Sequence, residues 1–241
     1  MTEKELLDKI KSRGYWKVQF TPLKFNQLLI PDRKQLIDMV TNYRVKLRGW
    51  DYPHLSHWEK PQSREVVIGK DYIEGGCDWN TQIEFWRFYQ SGQFIHLFAM
   101  DEDWWAEDAW VTRPDLKALK SGDAFGTISA IYTVTEIFEF AHRMAKLGVY
   151  DDGIKISIGL VNTKGRVLKV FDFMRADLFM DYKAHDNVVP FEKEFTNEEI
   201  LFEHKKLSID TVSWIFESFG WVDRPRGVFE KDQDDLYNRR F

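Results

Sequence analysis

Between Ile83 and Met100 two alternating, aromatic-rich runs, IEFWRFYQ and QFIHLFAM, flank the pair Ser91-Gly92. Successive side chains of a strand point to opposite faces, so two such runs joined by a tight turn commit this stretch to an antiparallel hairpin. A two-residue turn at Ser91-Gly92 sets Tyr89 opposite Phe94, Arg87 opposite His96, Phe85 opposite Phe98 and Ile83 opposite Met100. The other face pairs Phe88 with Ile95 and Trp86 with Leu97, which makes it the core face.

In that register Arg87 and His96 form a polar pair framed by aromatic residues, suited to stacking on a planar ring or gripping an anion. The competing reading is an Arg87 that stacks on its neighbours and a satisfied, half-buried His96. A Gly92 bulge in a three-residue loop would shift the pairing by one and dissolve the pair.

Seven of the ten tryptophans lie from Trp50 to Trp110, a density that either reinforces a core or lines a recognition surface. With 241 residues and 44% hydrophobic side chains the chain has ample core material. A net charge of −5 excludes a uniformly basic nucleic-acid coat but leaves room for a local basic patch. The lone Cys77 excludes an internal disulfide and a multi-thiolate zinc site. The start MTEKELLDKIKSRG has no apolar core of a secretory signal, and the apolar stretch 124–147 carries Glu136, Glu139, His142 and Arg143. A soluble, cytoplasmic protein with no membrane partner is expected.

Helices are expected at 3–12, at 33–43 with Asp32 as cap, over the periodic stretch from Ile128 to Gly148, and after the capping box Thr196-Asn-Glu-Glu199. Ile209, Val212, Phe216 and Phe219 form the apolar stripe of the last of these, stopped at Gly220. Strands are expected at 16–20, at 43–47, and at 65–73 ending at Gly75-Gly76. A hairpin is expected over 154–173 around Asn162-Thr-Lys-Gly165. Helices and strands mix without repeated βαβ units, which makes the fold class α+β, with antiparallel sheet packed on helices including a long central one. The polar segment 112–123 is the expected linker, dividing the chain into an aromatic-rich lobe, 1–113, and a helix-hairpin-helix lobe, 121–241, the two separate or parts of one compact domain.

In a strand at 43–47, Arg44, Lys46 and Arg48 would share one face beside Trp50, Tyr52, Asp51 and His54, a small phosphate-gripping surface with stacking platforms. The alternative is a solvated strand face neutralised by nearby acids. Asp101, Glu102, Asp103, Glu107 and Asp108 match no calcium-loop spacing. They read as an exposed loop anchored by Trp104 or Trp105. No P-loop, dinucleotide fingerprint, nucleophile elbow or zinc-protease motif occurs, and the six histidines are dispersed, so neither a cofactor nor a metal site is expected.

The stretch Leu47-Arg-Gly-Trp-Asp-Tyr-Pro-His54, followed by Glu84-Phe-Trp-Arg-Phe-Tyr-Gln-Ser-Gly-Gln-Phe94, resembles an uncharacterised bacterial domain. Such domains occur alone or beside AlbA-type, Schlafen-like modules that bind nucleic acid. The resemblance covers about residues 15–110 and carries no catalytic assignment; it implies a nucleic-acid-related role, with phage defence as the setting. The leading expectation is a non-catalytic domain binding a nucleotide or single-stranded nucleic acid. Arg44, Lys46 and Arg48 would hold phosphate; Trp50, Tyr52, Tyr89 and Phe94 would stack; Arg87 and His96 would orient the ligand. One alternative is an interaction subunit that meets a protein partner or a second copy through exposed aromatics. The other is a metal-dependent hydrolase in which His96 or the 101–108 acids converge in a pocket.

Overall fold

The computed structural model describes residues 1–58, 60 and 65–240. Helix α1 (Glu3–Lys11) opens on a capping box, Thr2 with Glu5. Strand β1 (Tyr15–Pro22) and helix α2 (Arg33–Tyr43) follow, with Asp32 accepting the Lys34 N–H as N-cap. Strands β2 (Val67–Ile68), β3 (Tyr72–Trp79), β4 (Gln82–Tyr89) and β5 (Phe94–Ala99) form a meander that ends in a single 3-10 turn at Asp101–Asp103. Then come the short α3 (Pro114–Lys117), β6 (Ala124–Gly126), the long α4 (Thr127–Lys146), β7 (Ile154–Val161), β8 (Val167–Lys169), β9 (Val188–Phe195), α5 (Asn197–Glu217) and α6 (Arg226–Tyr237). The fold is α+β.

Seven strands make one antiparallel sheet in the order β2-β3-β4-β5-β1-β7-β9. Its larger core lies on the face bearing Trp16, Val18, Phe20, Trp86, Phe88 and Phe94, beneath α4 and α5. Alternation in β7 sends Ile154, Ile156, Ile158 and Leu160 to the same core, each such burial contributing roughly 1.5–3 kcal/mol. On the opposite face Leu6 and Ile10 of α1 cover Ile83, Phe85, Leu97 and Ala99. β1 pairs with β5 on one side and β7 on the other, so strands from both of the expected lobes share one sheet. Segment 112–123 is tied down rather than free: Gly122 N–H donates to Asp103, and Arg113 Nη1 donates to the Phe171 carbonyl.

Four local expectations are corrected. The turn after β4 has three residues, Gln90–Gly92, with Gly92 at φ 79° and Tyr89 N–H bonded to the Gln93 carbonyl. The Gln90 amide donates to the carbonyls of Ile30 and Pro31 and fixes the loop. The register therefore slips by one: Trp86 faces His96, Arg87 faces Ile95, and Phe85 faces Leu97. No strand forms at 43–47, because α2 runs to Tyr43 and Val45 makes only an isolated bridge with Tyr52. Gly75 and Gly76 do not break β3 but lie inside it. A Cβ on Gly75 would sit 2.7 Å from the Trp86 ring and one on Gly76 2.7 Å from the Glu84 carbonyl, so bare backbone is what permits that packing. Residues 154–173 are not a hairpin: β7 pairs with the distant β9, while β8 joins β6 in a separate parallel pair.

Candidate functional site

The three cations of 44–48 part company. Arg44 is buried, its guanidinium held by Asp51 and the Thr41 carbonyl at the end of α2. Lys46 is exposed, and Arg48 reaches inward to α4, donating from Nε to Glu136 Oε2 at 3.0 Å and from Nη2 to Thr133 Oγ1 at 3.2 Å. The shared phosphate-gripping face does not exist. Nor do Arg87 and His96 meet: the slipped register puts them on opposite faces of the sheet. Arg87 pairs with Glu74 and Glu3 over the Tyr72 ring. Tyr89 packs against Tyr72, and Phe94 is core, edge-on to Phe88 and tilted against Phe20 and Phe140.

The remaining four predicted residues converge. Arg48, Trp50, Tyr52 and His96 line one cavity of about 280 Å³ at the junction of the 48–52 loop, β4, β5, the 3-10 turn and α4. Its aromatic walls are Trp16, Trp50, Tyr52, Phe98 and Phe125; its ionisable groups are Arg48, Asp51, Glu84, His96, Asp101, Glu102 and Glu136. Period two along β4 sends Gln82 and Glu84 to one face, and the β4–β5 register sets Glu84 opposite Phe98, one strand from His96. Ser129, Thr133 and Glu136, spaced i, i+4 and i+7 along α4, face the same space.

Glu84 is the hub. It accepts from Trp50 Nε1 at 2.6 Å, and its other oxygen lies 2.8 Å from His96 Nε2. Burial alone would raise its pKa, but the hydrogen bond from His96, with His54 and Trp50, holds it below the usual glutamate range. An ionised Glu84 only accepts, so His96 Nε2 carries the hydrogen. Burial raises Glu136 despite the opposing charge of Arg48, and raises Tyr52 further with the help of Glu84 and Glu136, so Tyr52 remains a phenol. Asp101, held by the Gln82 amide, is pushed up to about 7 by burial and by the charge of Glu102, against the pull of Arg48. Glu102 is also raised by burial while accepting from Gly126 N–H and Ser129 Oγ.

Three buried polar atoms of this lining have no hydrogen-bond partner among the described residues: Tyr52 Oη, His96 Nδ1 and Glu136 Oε1. Their residues are 6%, 2% and 1% exposed. Native interiors rarely strand so many polar groups together, since each unmade bond costs about 1–3 kcal/mol. The cavity is thus prepared for hydrogen bonds the fold itself does not make.

Trp50 is no open stacking platform. Its ring stacks on His54 at 3.8 Å and on Trp79 at 5.8 Å while its N–H bonds Glu84, so it is a wall that fixes the hub. The acidic segment also departs from an exposed loop: Glu102, Asp103, Asp108 and the anchor Trp104 are buried. Sequence reading passed over Glu84 and Glu136, acids placed at core positions of an aromatic strand and an apolar helix. That placement was the available signal, because a carboxylate is rarely buried unless paired or functional. Cys77 is buried, with its thiol pushed up to about 12 by burial and the charges of Glu84 and Asp78, which disfavours a nucleophilic thiolate. Among the described residues no group of three or more His, Cys, Asp or Glu side chains could hold a metal ion. No helix there is long and apolar enough to cross a membrane. Exposed apolar side chains gather elsewhere, at Phe173, Met174, Phe179 and Met180 before β9. No family model, curated protein or solved structure matches this chain.

Proposed function

We propose that the chain binds a small molecule rich in N–H donors, of the nucleobase or nucleoside class, inside the cavity around Glu84. The carrying observation is the set of unpartnered buried atoms Tyr52 Oη, His96 Nδ1 and Glu136 Oε1, a hydroxyl, an imidazole nitrogen and a carboxylate oxygen within one aromatic-walled space. Apolar walls with a few convergent polar groups are the usual composition of a small-molecule site. The resemblance to domains found beside nucleic-acid-binding modules favours the same chemical class. Phosphate fits poorly: five carboxylates line the cavity against Arg48, which Glu136 already engages, and the other cations of the segment point elsewhere. The reading is therefore a base or nucleoside, not a strand held by its backbone.

Titration of tryptophan fluorescence with nucleobases, nucleosides, nucleoside monophosphates and single-stranded oligonucleotides at low salt tests this. Bases or nucleosides are expected to bind, about tenfold more weakly in Tyr52→Phe and Glu84→Gln, and unchanged in Lys46→Ala. Failure of the whole class to bind would overturn the reading, as would oligonucleotide binding that Lys46→Ala weakens.

A second reading rests on one specific observation. His96, backed by an ionised Glu84, has an unpartnered Nδ1 in the same cavity as Asp101, an acid near neutrality. A base oriented by a carboxylate beside a proton donor is what hydrolysis of a bound ligand would need. Chromatography of a bound nucleoside after incubation, with His96→Asn as the comparison, distinguishes turnover from binding alone.

A further inference from the structure

We infer that the cavity takes its ligand as a planar organic cation, a heterocycle or amidine-like group bearing a positive charge, an assignment that rests on the small-molecule reading above. Five carboxylates line the cavity; Asp51 is paired with Arg44, which leaves Glu84, Asp101, Glu102 and Glu136 against one guanidinium, Arg48, and one imidazole, His96. Arg48 is committed to Glu136, and His96 to Glu84. Among the described residues the other two acids have only neutral hydrogen-bond partners: Asp101 the Gln82 amide, and Glu102 the Gly126 N–H and the Ser129 hydroxyl. Burying carboxylates without matched positive charge is costly, and a cation entering between them lowers that cost.

The second, independent observation is where the unfinished hydrogen bonds lie. Glu136 Oε1 accepts from a ligand's N–H group, with His96 Nδ1 and Tyr52 Oη unpartnered in the same lining, and all three residues are buried. The aromatic rings of Trp16, Phe98 and Phe125 complete the walls, and ring faces attract cations where water is excluded. An anion would meet the opposite of each feature.

The groups facing Asp101 are Glu102 beside it, Gln82 and Glu84 on β4, and Arg48 from the 48–52 loop, with His96 and Glu136 across the cavity. Three of these are carboxylates crowding a fourth. Cation binding should accordingly strengthen as Asp101 ionises, between pH 6 and 7.5.

Two nucleoside pairs differing in ring charge test this directly: adenosine against 1-methyladenosine, and cytidine against 3-methylcytidine. The methylated members carry a positive ring at neutral pH. Calorimetry on the full chain is expected to show the cationic member of at least one pair binding about tenfold tighter at pH 7.5. That preference should shrink at pH 6 and in Asp101→Asn, whose fold is checked by circular dichroism. Agmatine and magnesium chloride are titrated in parallel. Neutral members binding as tightly as their cations would overturn the charge assignment while leaving the nucleoside reading intact. Agmatine binding without any nucleoside would do the reverse. Magnesium saturating the same site at the same concentration as the organic cations would overturn the assignment in favour of an inorganic ion.

Discussion

Asp101, Glu102 and Asp103 are consecutive carboxylates, yet they serve two clusters of opposite character. Asp103 faces Arg166, itself 1% exposed, in a fork of two bonds, and also accepts from the N–H groups of Gly14 and Gly122. Arg166 completes its set on the carbonyls of Ala124 and Asn162. Charges balance, both Asp103 oxygens are filled, and a Cβ on Gly14 would lie 2.0 Å from Arg166 Nη2, so nothing can be added. Arg166 and the glycine N–H groups overcome burial and hold Asp103 below the usual aspartate range. In the same turn, Asp101 and Glu102 line a cavity where carboxylates outnumber cations and buried atoms lack partners among the described residues. Burial of charge alone thus does not mark a function. A closed cluster secures the fold; an open one awaits a ligand.

Breaking the closed cluster should have the largest effect. Arg166→Met leaves Asp103 buried without its counter-charge, and losing one partner of a buried pair costs about 3–5 kcal/mol. For a chain of this size that lowers Tm by on the order of 10 °C. Denaturant and thermal melts measure it. A loss below about 1 kcal/mol, the scale of a surface ion pair, would erase the distinction between the clusters.

In the open cluster the sign should change. Tyr52→Phe removes a buried hydroxyl that no described residue satisfies, so stability should stay level or rise by up to about 1 kcal/mol, while nucleoside affinity falls. Destabilisation beyond about 2 kcal/mol would mean that the hydroxyl has a structural partner, and the cavity would then be as closed as its neighbour.

The contrast was only partly legible in the sequence. Local signals that depend on a few residues held: the Thr196–Glu199 box opens α5, Asp32 caps α2, and the periodic stretch from Ile128 to Gly148 is a long buried helix. The α+β class and antiparallel sheet followed from the same patterns. What failed depended on partners far along the chain. The hairpin register turned on a Gln90 amide anchored to residues 30–31, and one residue of slip separated Arg87 from His96. β7 carries a hairpin's alternation but pairs with β9, beyond the next strand. Of the nine ligand-binding residues expected, Arg48, Trp50, Tyr52 and His96 share a cavity because long-range folding brings them to Glu84 and Glu136, which no local pattern marks as neighbours.

The smallest expected effect is the one that weighs the open cluster's charge in the absence of ligand. Asp101 titrates near 7 in the folded chain, above the roughly 3.9 of a free aspartate, so between those values the folded state binds the extra proton. Its contribution to stability is full below the unfolded value and is lost as pH rises through the folded one. Asp101→Asn is neutral throughout, so its Tm should gain on the wild type as pH rises from 5 to 8. With solvent screening at this partly exposed site the gain is on the order of 1–2 kcal/mol, a few degrees. A bound organic cation should cancel it, because the charged carboxylate then has a partner. A pH-independent difference would place Asp101 among ordinary surface acids and take the surplus charge out of the cavity. A difference that survives saturation with the cation would separate Asp101 from the ligand and leave Glu102 and Glu136 as the acids that meet it.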